Sequence, residues 1–145
     1  MENTEEIKVN DSMKNRRIRP LAVAIVKRGN KVLVMPGYDA VKKENFYRLP
    51  GGGIEFGEYA EQTIKREFME EIGIEPKVGK KLGVFENIFQ FNGFDGHEII
   101  IIYEAKLPDE YMEKDKFPMI EEEFKGKFFE FVEINPNNKI YPEIF

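Results

Sequence analysis

The segment from residue 51 to residue 73 constrains the fold more than any other part of the chain. It opens with three consecutive glycines, which allow backbone conformations and close approaches that other residues do not. Four apolar side chains then recur at every fourth position: Ala60, Ile64, Phe68 and Ile72. This spacing predicts a helix from about 58 to 72 with one apolar stripe, and Gly73 is a natural residue to end it.

Three glutamates crowd into little more than one turn of this predicted helix: Glu67, Glu70 and Glu71. Like charges three or four positions apart on a helix repel each other by roughly 0.2–0.5 kcal/mol per pair. On a helical wheel the three carboxylates fall on one side, next to Ile64 and Phe68, and therefore border the buried stripe. Oxygen donors in such a place suit Mg²⁺ or Mn²⁺, and a bound cation turns the repulsion into attraction. The competing interpretation is a solvated acidic face, which is common on helices.

The spacing around these glutamates decides between the two interpretations. Residues 52–74 read GGIEFGEYAEQTIKREFMEEIGI. This stretch resembles the Nudix box, G-x5-E-x7-R-E-U-x-E-E-x-G-U, in which U is a bulky apolar residue. Every fixed position matches, and these positions are Gly52, Glu58, Arg66, Glu67, Phe68, Glu70, Glu71, Gly73 and Ile74. The first U is usually aliphatic and is a phenylalanine here. The resemblance extends over about 18–145, since a predicted hairpin precedes the box and predicted strands follow it.

The resemblance implies a role for each acidic residue on the predicted helix. Glu67 and Glu71 are then the principal ligands of catalytic Mg²⁺ or Mn²⁺, and the carbonyl oxygen of Gly52 is a further donor. Glu70 is another ligand or the base that orients the attacking water. The box thus implies a site that binds divalent cations and hydrolyses a diphosphate bond.

Glu58 and Arg66 are implied to form a structural pair that pins the preceding loop to the helix, although Glu58 also qualifies as a peripheral metal ligand. Many family members use one more glutamate, from the loop before the last strand, as a base or ligand. That loop offers three candidates here: Glu121, Glu122 and Glu123. We select Glu122 as a further catalytic candidate, against the equal interpretation of a solvated acidic run.

Four residues outside the box are candidates for substrate binding: Arg19, Tyr47, Phe89 and His97. Arg19 lies on the first predicted strand, where similar proteins often contact a phosphate. Tyr47 and Phe89 offer aromatic faces for a base, and His97 offers a hydrogen-bond donor. Each has a structural interpretation of equal or greater weight, namely a surface charge, core packing or a histidine with structural partners.

The implied activity is hydrolysis of a nucleoside diphosphate linked to a further group, with a (deoxy)nucleoside triphosphate as the leading substrate. ADP-ribose, a dinucleoside polyphosphate and a nucleotide sugar follow. Similar enzymes that act on ADP-ribose often carry a proline shortly beyond the box, and this region reads NIFQF. An RNA-end pyrophosphohydrolase and an isomerase on the same fold are weaker options, because the balance of charge is acidic and cysteine is absent.

The alternative from another functional class is a catalytically silent module that binds or senses a nucleotide. Proteins of this kind usually lose glutamates of the box or add a DNA-binding domain. All three glutamates are present here, and 145 residues favour a single domain. We therefore predict an enzyme.

Composition sets further limits on partners and location. The formal net charge of −5 argues against duplex nucleic acid as a partner. No apolar run approaches the roughly 20 residues that span a bilayer, and no signal-peptide pattern opens the chain. We therefore expect a cytoplasmic protein with no membrane partner, made of a polar arm at 1–17 and one domain at 18–145. Homodimers are frequent among similar proteins, so a homodimer is a further expectation.

The remaining elements favour a fold of class α/β (α+β) with a mixed β-sheet. The resemblance implies a Nudix-like α/β/α sandwich with a loop–helix–loop catalytic motif. Gly29-Asn30 predicts an antiparallel hairpin of two strands, 18–27 and 31–35. The other predicted segments are an edge strand at 7–9, a loop at 36–45, a strand with an interruption at 77–91, a turn at 92–96, strands at 97–107 and 127–134, and a short helix at the C-terminus. The strand at 97–107 is expected to be buried on both faces.

Overall fold

The computed structural model describes residues 10–145. The edge strand predicted at 7–9 lies outside these residues, as does much of the predicted arm. Within the described part of the arm, a short helix begins after Asn10, whose side-chain oxygen accepts the backbone N–H of Met13 at 3.1 Å. No helix of the described chain is long and apolar enough to cross a bilayer.

The described chain is built mainly from strands. Up to the end of the glycine run, the elements are α1 (Asp11–Lys14), β1 (Arg19–Ile25), β2 (Lys27–Arg28), β3 (Lys31–Asp39), β4 (Glu44–Arg48) and β5 (Gly51–Gly53). The later elements are α2 (Ala60–Ile72), β6 (Lys77–Phe91), β7 (Phe94–Lys106), β8 (Lys116–Pro118), β9 (Phe128–Glu133) and β10 (Ile140–Tyr141). Single turns of 3₁₀ helix lie at Asp109–Tyr111 and Glu122–Phe124.

The strands form two sheets, and both sheets are mixed. The first has the order β5-β1-β7-β6, in which β1 and β7 run parallel and the other neighbours run antiparallel. The second has the order β10-β4-β3-β9-β8, with β2 paired to β3, and its parallel pair is β10 with β4. The prediction of a mixed α+β fold is confirmed.

Helix α2 packs its apolar stripe into one of two hydrophobic clusters. Ile64 and Phe68 are fully buried there, and the Phe68 ring meets the ring of Phe129 edge to face, with ring centroids 6.1 Å apart. The second cluster lies where the two sheets meet, and its buried members are Leu21, Val23, Val32, Val34, Leu49, Ile100, Ile102 and Ile140. Strand β1 contributes to both clusters and is therefore a central strand of the domain.

The predicted hairpin around Gly29-Asn30 exists only in part. Lys27 and Arg28 pair with β3 across the turn, and Gly29 has a positive φ of 61°. The prediction that residues 18–25 continue this pairing is wrong, because β1 pairs with β5 and β7 instead. The chain passes from the first sheet to the second at Val26, a fully buried residue whose carbonyl accepts the N–H of Leu33 at 2.9 Å.

Strands β6 and β7 form one long hairpin. Asn92 and Gly93 both have positive φ angles, 51° and 82°, which suits a two-residue turn, so the turn is shorter than the predicted 92–96. The predicted interruption of β6 is confirmed, since its register shifts between Val78 and Gly83. The prediction that β7 is buried on both faces is wrong at Ile99, which is 38% exposed beside a buried Ile100.

Two predicted irregular or helical segments are strands. The predicted loop at 36–45 is wrong at its two ends, because β3 continues to Asp39 and β4 starts at Glu44. The predicted C-terminal helix is also wrong. Ile140 and Tyr141 form β10, which pairs in parallel with Tyr47 and Arg48 of β4 and so closes the edge of the second sheet.

Candidate active site

Helix α2 matches its prediction at both ends to within two residues. It begins at Ala60, after Tyr59, whose backbone N–H is accepted by the side-chain oxygen of Gln62 at 2.8 Å. It ends before Gly73, which adopts the left-handed conformation with φ 70° and donates its N–H to the carbonyls of Phe68 and Met69. The helix therefore presents its glutamates at a defined rotation, directly after the glycine strand β5.

Arg66 organises the polar side chains around this helix. Its Nε and Nη2 donate to the two carboxylate oxygens of Glu58 at 2.8 and 3.0 Å, and Nη2 also donates to the carbonyl of Gly53 at 3.0 Å. Its Nη1 lies 3.0 Å from Oε1 of Glu67 and 3.3 Å from Oε2 of Glu70. One guanidinium thus joins the loop, the glycine strand and the helix.

Glu58 is held as a carboxylate by this arrangement. The hydrogen bonds from Arg66 lower its pKa to about 2, against the opposing effect of burial, and the hydroxyl of Thr63 donates a further bond at 2.6 Å. The donors to Glu58 are the guanidinium of Arg66, the hydroxyl of Thr63 and the backbone N–H of Glu55, and these bonds fix the loop. This geometry supports a structural role for the pair formed by Glu58 and Arg66.

Glu67 and Glu71 form a close pair of carboxyl groups one turn apart. The carboxyl of Glu67 is close enough to act on that of Glu71, and Glu71 is only 6% exposed. Burial, followed by the interaction with Glu67, raises the pKa of Glu71 to about 9. Among the described residues, Oε2 of Glu71 is buried with no hydrogen-bond partner. A buried oxygen in this state is strongly in need of a proton or a cation.

Gly52 lies directly against this pair. A Cβ atom at this position would stand 2.4 Å from Cδ of Glu67 and 2.5 Å from its Oε1. Only glycine leaves room for the carboxylate to lie against the backbone of β5. The donor chemistry, the buried free oxygen of Glu71 and the space beside Gly52 all fit a divalent cation.

The third glutamate of the helix stands apart from the pair. The side chain of Glu70 is 51% exposed and is directed to Arg66. Within residues 10–145, no group of three or more acidic or histidine side chains is already arranged to hold a metal ion. Glu70 would join Glu67 and Glu71 around one cation only if its side chain left Arg66.

A further glutamate approaches the site from the loop before β9. The N–H of Ile120 donates to the carbonyl of Glu71 at 2.8 Å and so fixes this loop to the end of α2. The next residue, Glu121, is half-buried, and burial together with the negative charges of Glu123, Glu67 and Glu70 raises its pKa. Glu122, the residue selected from the sequence, is exposed and lies in a 3₁₀ turn.

Two arginines and a buried glutamate continue the site away from the helix. Nη1 of Arg19 lies 3.9 Å from Oε2 of Glu98, a buried residue directly opposite it on the parallel strand. Burial raises the pKa of Glu98, and the positive charges of Arg48 and Arg19 oppose this rise. The charge of Arg48 also opposes the raised pKa of Glu71, so Arg48 is near enough to act on both glutamates. Sequence reasoning missed Arg48 and Glu98; their only signal was their position next to Leu49-Pro50 and to His97.

A cavity of about 150 Å³ opens beside these charges, between the ends of the two sheets. Its lining residues are Asn10, Met13, Asp39, Lys42, Glu44, Phe46, Arg48, Asn87, Phe89, Gln90, Phe91, Glu98 and Tyr141. The ring of Phe46 meets those of Phe91 and Tyr141 edge to face, with centroids 5.9 and 5.5 Å apart. The ring of Phe89 covers Gly96 of β7, where a Cβ would stand 2.3 Å from it.

The four candidate substrate residues from the sequence separate into two groups. Phe89 lines the cavity, and Arg19 lies at the boundary between the cavity and the carboxylates. Tyr47 follows Phe46 on β4 and so points to the other face, where its hydroxyl hydrogen-bonds with Glu130. His97 precedes Glu98 on β7 and is directly opposite Ile88, away from the cavity lining.

Comparison with known proteins identifies the family. The NUDIX domain matches residues 18–144 of the chain. An ADP-ribose pyrophosphatase of Methanocaldococcus jannaschii is 33% identical over 128 residues, which span 78% of this chain and 71% of that protein. A shorter match, 42% identical over 48 residues, spans 33% of this chain and 28% of an RNA pyrophosphohydrolase of Pseudoalteromonas atlantica.

Solved structures agree in their fold. A MutT Nudix hydrolase of Burkholderia pseudomallei is 21% identical with a TM-score of 0.57, and the likeness covers 80% of this chain and 81% of that one. The MutT protein of Methanosarcina mazei is 16% identical with a TM-score of 0.53, over 81% and 77%. The fold and the carboxylate helix define a class of hydrolases that act on pyrophosphate bonds. Within that class, the chain belongs to the Nudix family, as the box predicts.

Proposed function

We propose that this protein hydrolyses the diphosphate bond of a nucleoside diphosphate sugar of the ADP-ribose type, with Mg²⁺ or Mn²⁺ bound at Glu67 and Glu71. The observation that carries the proposal is the carboxyl pair against Gly52, of which Glu71 is buried, together with a nearby cavity lined by Arg48 and aromatic rings. The substrate is taken from the ADP-ribose pyrophosphatase that is 33% identical to this chain over most of its length. This choice puts ADP-ribose ahead of the nucleoside triphosphate favoured by the sequence alone.

The residues of the site have separate roles in the proposed hydrolysis. A bound divalent cation would neutralise negative charge on the diphosphate and make the attacking water more acidic. Glu67, Glu71 and the carbonyl of Gly52 would hold it, and Arg66 orients Glu67 through the bond at 3.0 Å. Glu121 or Glu70 accepts the proton of the water that attacks phosphorus. The bridging P–O bond breaks, and two phosphorylated fragments leave.

The cavity receives the nucleoside in this proposal. Arg19 and Arg48 lie between the catalytic carboxylates and the aromatic lining, where guanidinium groups bind phosphate oxygens well. Phe46, Phe89 and Phe91 offer apolar faces and edges to a base. Glu98 and Asn87, which hydrogen-bond with each other, offer acceptors and donors to ribose hydroxyls or to the base.

A nucleoside triphosphate is the second candidate, favoured by the absence of a proline in the region NIFQF. A silent nucleotide-binding module is the alternative from another class. A hydrolysis screen with Mg²⁺ and with Mn²⁺ distinguishes them. The panel comprises ADP-ribose, canonical and oxidised (deoxy)nucleoside triphosphates, dinucleoside polyphosphates, nucleotide sugars and 5′-triphosphate RNA.

Glu71→Gln is the inactivating variant for this screen, and Glu61→Gln is its matched control on an exposed position of the same helix. We expect metal-dependent turnover of ADP-ribose that falls by at least about 10²-fold in Glu71→Gln and is unchanged in Glu61→Gln. Preferred turnover of a triphosphate would change the assigned substrate but leave the assignment as a hydrolase unchanged. Nucleotide binding without turnover would favour the silent module.

Self-association belongs to the same proposal. Strand β6 is an edge of the first sheet among the described residues, and its side chains Leu82, Val84 and Ile88 are 47, 53 and 75% exposed. An edge strand with exposed apolar side chains is a template for pairing, so we place a homodimer contact here. Light scattering of the wild type and of Val84→Lys tests it, with a dimer expected only for the wild type. We also propose a cytoplasmic location, which fractionation of the native cells checks.

A further inference from the structure

Two hairpin turns meet at the mouth of the cavity. One is the turn at 40–43, which connects β3 and β4 of the second sheet, and the other is Asn92-Gly93, which connects β6 and β7 of the first. Asp39 at the end of β3 and Asn92 are 3% and 6% exposed. We call their meeting the Asp39–Asn92 contact. It joins the two sheets at the end of the domain where the cavity opens.

The contact consists of reciprocal hydrogen bonds between side chains and backbone. Oδ2 of Asp39 accepts the N–H of Asn92 at 3.1 Å, and Oδ1 of Asn92 accepts the N–H of Ala40 at 2.7 Å. The other oxygen of Asp39 accepts the N–H groups of Val41 and Lys42 at 3.0 and 2.9 Å. Asp39 therefore fixes its own turn and the opposite turn at once.

A second link runs between the same two turns. Nζ of Lys42 donates to the carbonyl of Gln90 at 3.2 Å. Burial disfavours a charged Asp39, but the three backbone N–H groups outweigh burial and hold its pKa below the ordinary value. Asn92 adopts a positive φ of 51°, a conformation that asparagine tolerates better than most residues.

The residues that the contact positions are those that line the cavity. Lys42 and Phe46 come from one hairpin, and Gln90 and Phe91 come from the other. The rings of Phe46 and Phe91 meet across the junction of the two sheets. None of the residues of the contact belongs to β5, α2 or the loop before β9, which carry the chemistry.

We propose that the Asp39–Asn92 contact is a positioning element for the nucleoside part of the substrate. By fixing the separation of the two hairpins it sets the width of the cavity, while the carboxylates on α2 remain as they are. Weakening the contact then weakens binding and leaves the chemical step intact. This inference rests on the proposed function, because it takes the cavity as the site that receives the nucleoside.

The test uses Asn92→Gly, which removes the Oδ1 acceptor and tolerates the positive φ. The matched control is Lys43→Gly, since Lys43 has a φ of 56° in the opposite turn, is exposed and does not line the cavity. Asp39→Asn is a second variant that weakens the contact from the other side. The readouts are KM and kcat with the best substrate of the screen, and the Kd of adenosine 5′-(α,β-methylene)diphosphate by calorimetry with Mg²⁺.

We expect Asn92→Gly and Asp39→Asn to raise KM and Kd by about tenfold or more, equivalent to about 1.4 kcal/mol. We expect kcat to stay within about twofold, because an interaction made equally in the ground state and the transition state affects KM and not kcat. We expect Lys43→Gly to match the wild type. Unchanged KM in a variant with a lowered melting temperature would show a purely structural contact and overturn the proposal. Equal loss in kcat would overturn it as well.

Failure of the proposed function looks different from failure of this inference. If the wild type neither hydrolyses the panel nor binds the methylene analogue, the nucleotide-hydrolase proposal itself is wrong, and the inference is overturned with it. If the wild type binds and turns over a nucleotide but the variants behave identically, only the positioning role is wrong. If circular dichroism shows that Asn92→Gly or Asp39→Asn is unfolded, the other of these two variants decides the test.

Discussion

At the scale of single residues, the site depends on which carboxylate oxygens Arg66 does not contact. Its donors satisfy Glu58 fully, take one oxygen of Glu67 and reach Glu70, but none of its contacts involves Glu71. Glu71 consequently keeps a buried oxygen that no described group satisfies. A buried acceptor without a donor costs about 1–3 kcal/mol, so a ligand that satisfies this oxygen would bind favourably.

Gly52→Ala tests how closely the backbone and Glu67 must approach. The new Cβ would stand 2.4 Å from Cδ of Glu67, so the carboxylate must move. We expect turnover to fall by at least about 10²-fold, since a displacement of about 1 Å in a catalytic group has that effect. Gly83→Ala is the control, because a Cβ there meets nothing within 4 Å. An active Gly52→Ala enzyme would contradict the placement of the cation beside β5.

The pKa of Glu71 predicts a pH dependence of stability in protein treated with a chelator. Burial raises this pKa from 4.5 to about 9, so between these values the folded protein keeps a proton that the unfolded chain has lost. The free energy of unfolding should therefore decline as pH rises from about 4.5 towards 9. Urea unfolding across this range measures it. Glu71→Gln should show a shallower decline, and an unchanged slope would argue against a protonated Glu71.

At the scale of elements, α2 is held both by packing and by its ends. Phe68 is fully buried against Phe129, and Gly73 terminates the helix in the left-handed conformation. The first turn is fixed through Gln62 and Thr63, whose side chains bond to Tyr59 and Glu58. Core packing and the hydrogen bonds at both ends of the helix thus set the orientation of its catalytic face.

Phe68→Ala should destabilise the protein by about 3–5 kcal/mol, the usual range for a large buried aromatic residue. Met69→Ala is the control, because Met69 is the next residue along the helix and is 47% exposed. We expect this control to change the free energy of unfolding by less than about 0.5 kcal/mol. Urea denaturation of both variants measures the difference. Equal effects would mean that the helix rotation described above is wrong.

Elements with local signals were predictable from the sequence, and those with distant partners were not. The bounds of α2 follow from its own periodicity and from Gly73. The partner of β1 cannot be inferred in this way, because β7 lies far along the chain and no local pattern encodes that pairing. The same holds within the site. The box indicated Glu67 and Glu71, whereas the approach of Glu121 depends on the bond from Ile120 to the end of α2.

At the scale of the whole molecule, the chemistry and the cavity lie on different parts of the fold. The carboxylates belong to α2, and the cavity lies between the ends of the two sheets, with contributions from β4, β6, β7 and β10. Arg19 and Arg48 connect the two regions. A substrate with a diphosphate next to a nucleoside suits this division, because its two parts need different surroundings.

Metal binding should stabilise the whole domain. A ligand that binds only the folded state contributes about 2.7 kcal/mol at a hundredfold excess over its Kd. We expect the melting temperature to rise on addition of Mg²⁺ or Mn²⁺ and to return when a chelator is added. Glu67→Gln and Glu71→Gln should lose this rise, whereas Glu61→Gln should retain it. A rise of equal size in all variants would place the cation elsewhere.

Strand β6 carries two surfaces on alternate residues. Asn87 and Phe89 face the cavity, while Val84 and Ile88 are exposed on the opposite face. Mutation of one set leaves the other set in place, since neighbouring side chains of a strand point to opposite sides. In the function proposed above, substitutions on one face of β6 would change the choice of substrate, and substitutions on the other face would change the proposed dimer contact. Under that proposal, a change in what the enzyme cleaves does not require a change in how it assembles.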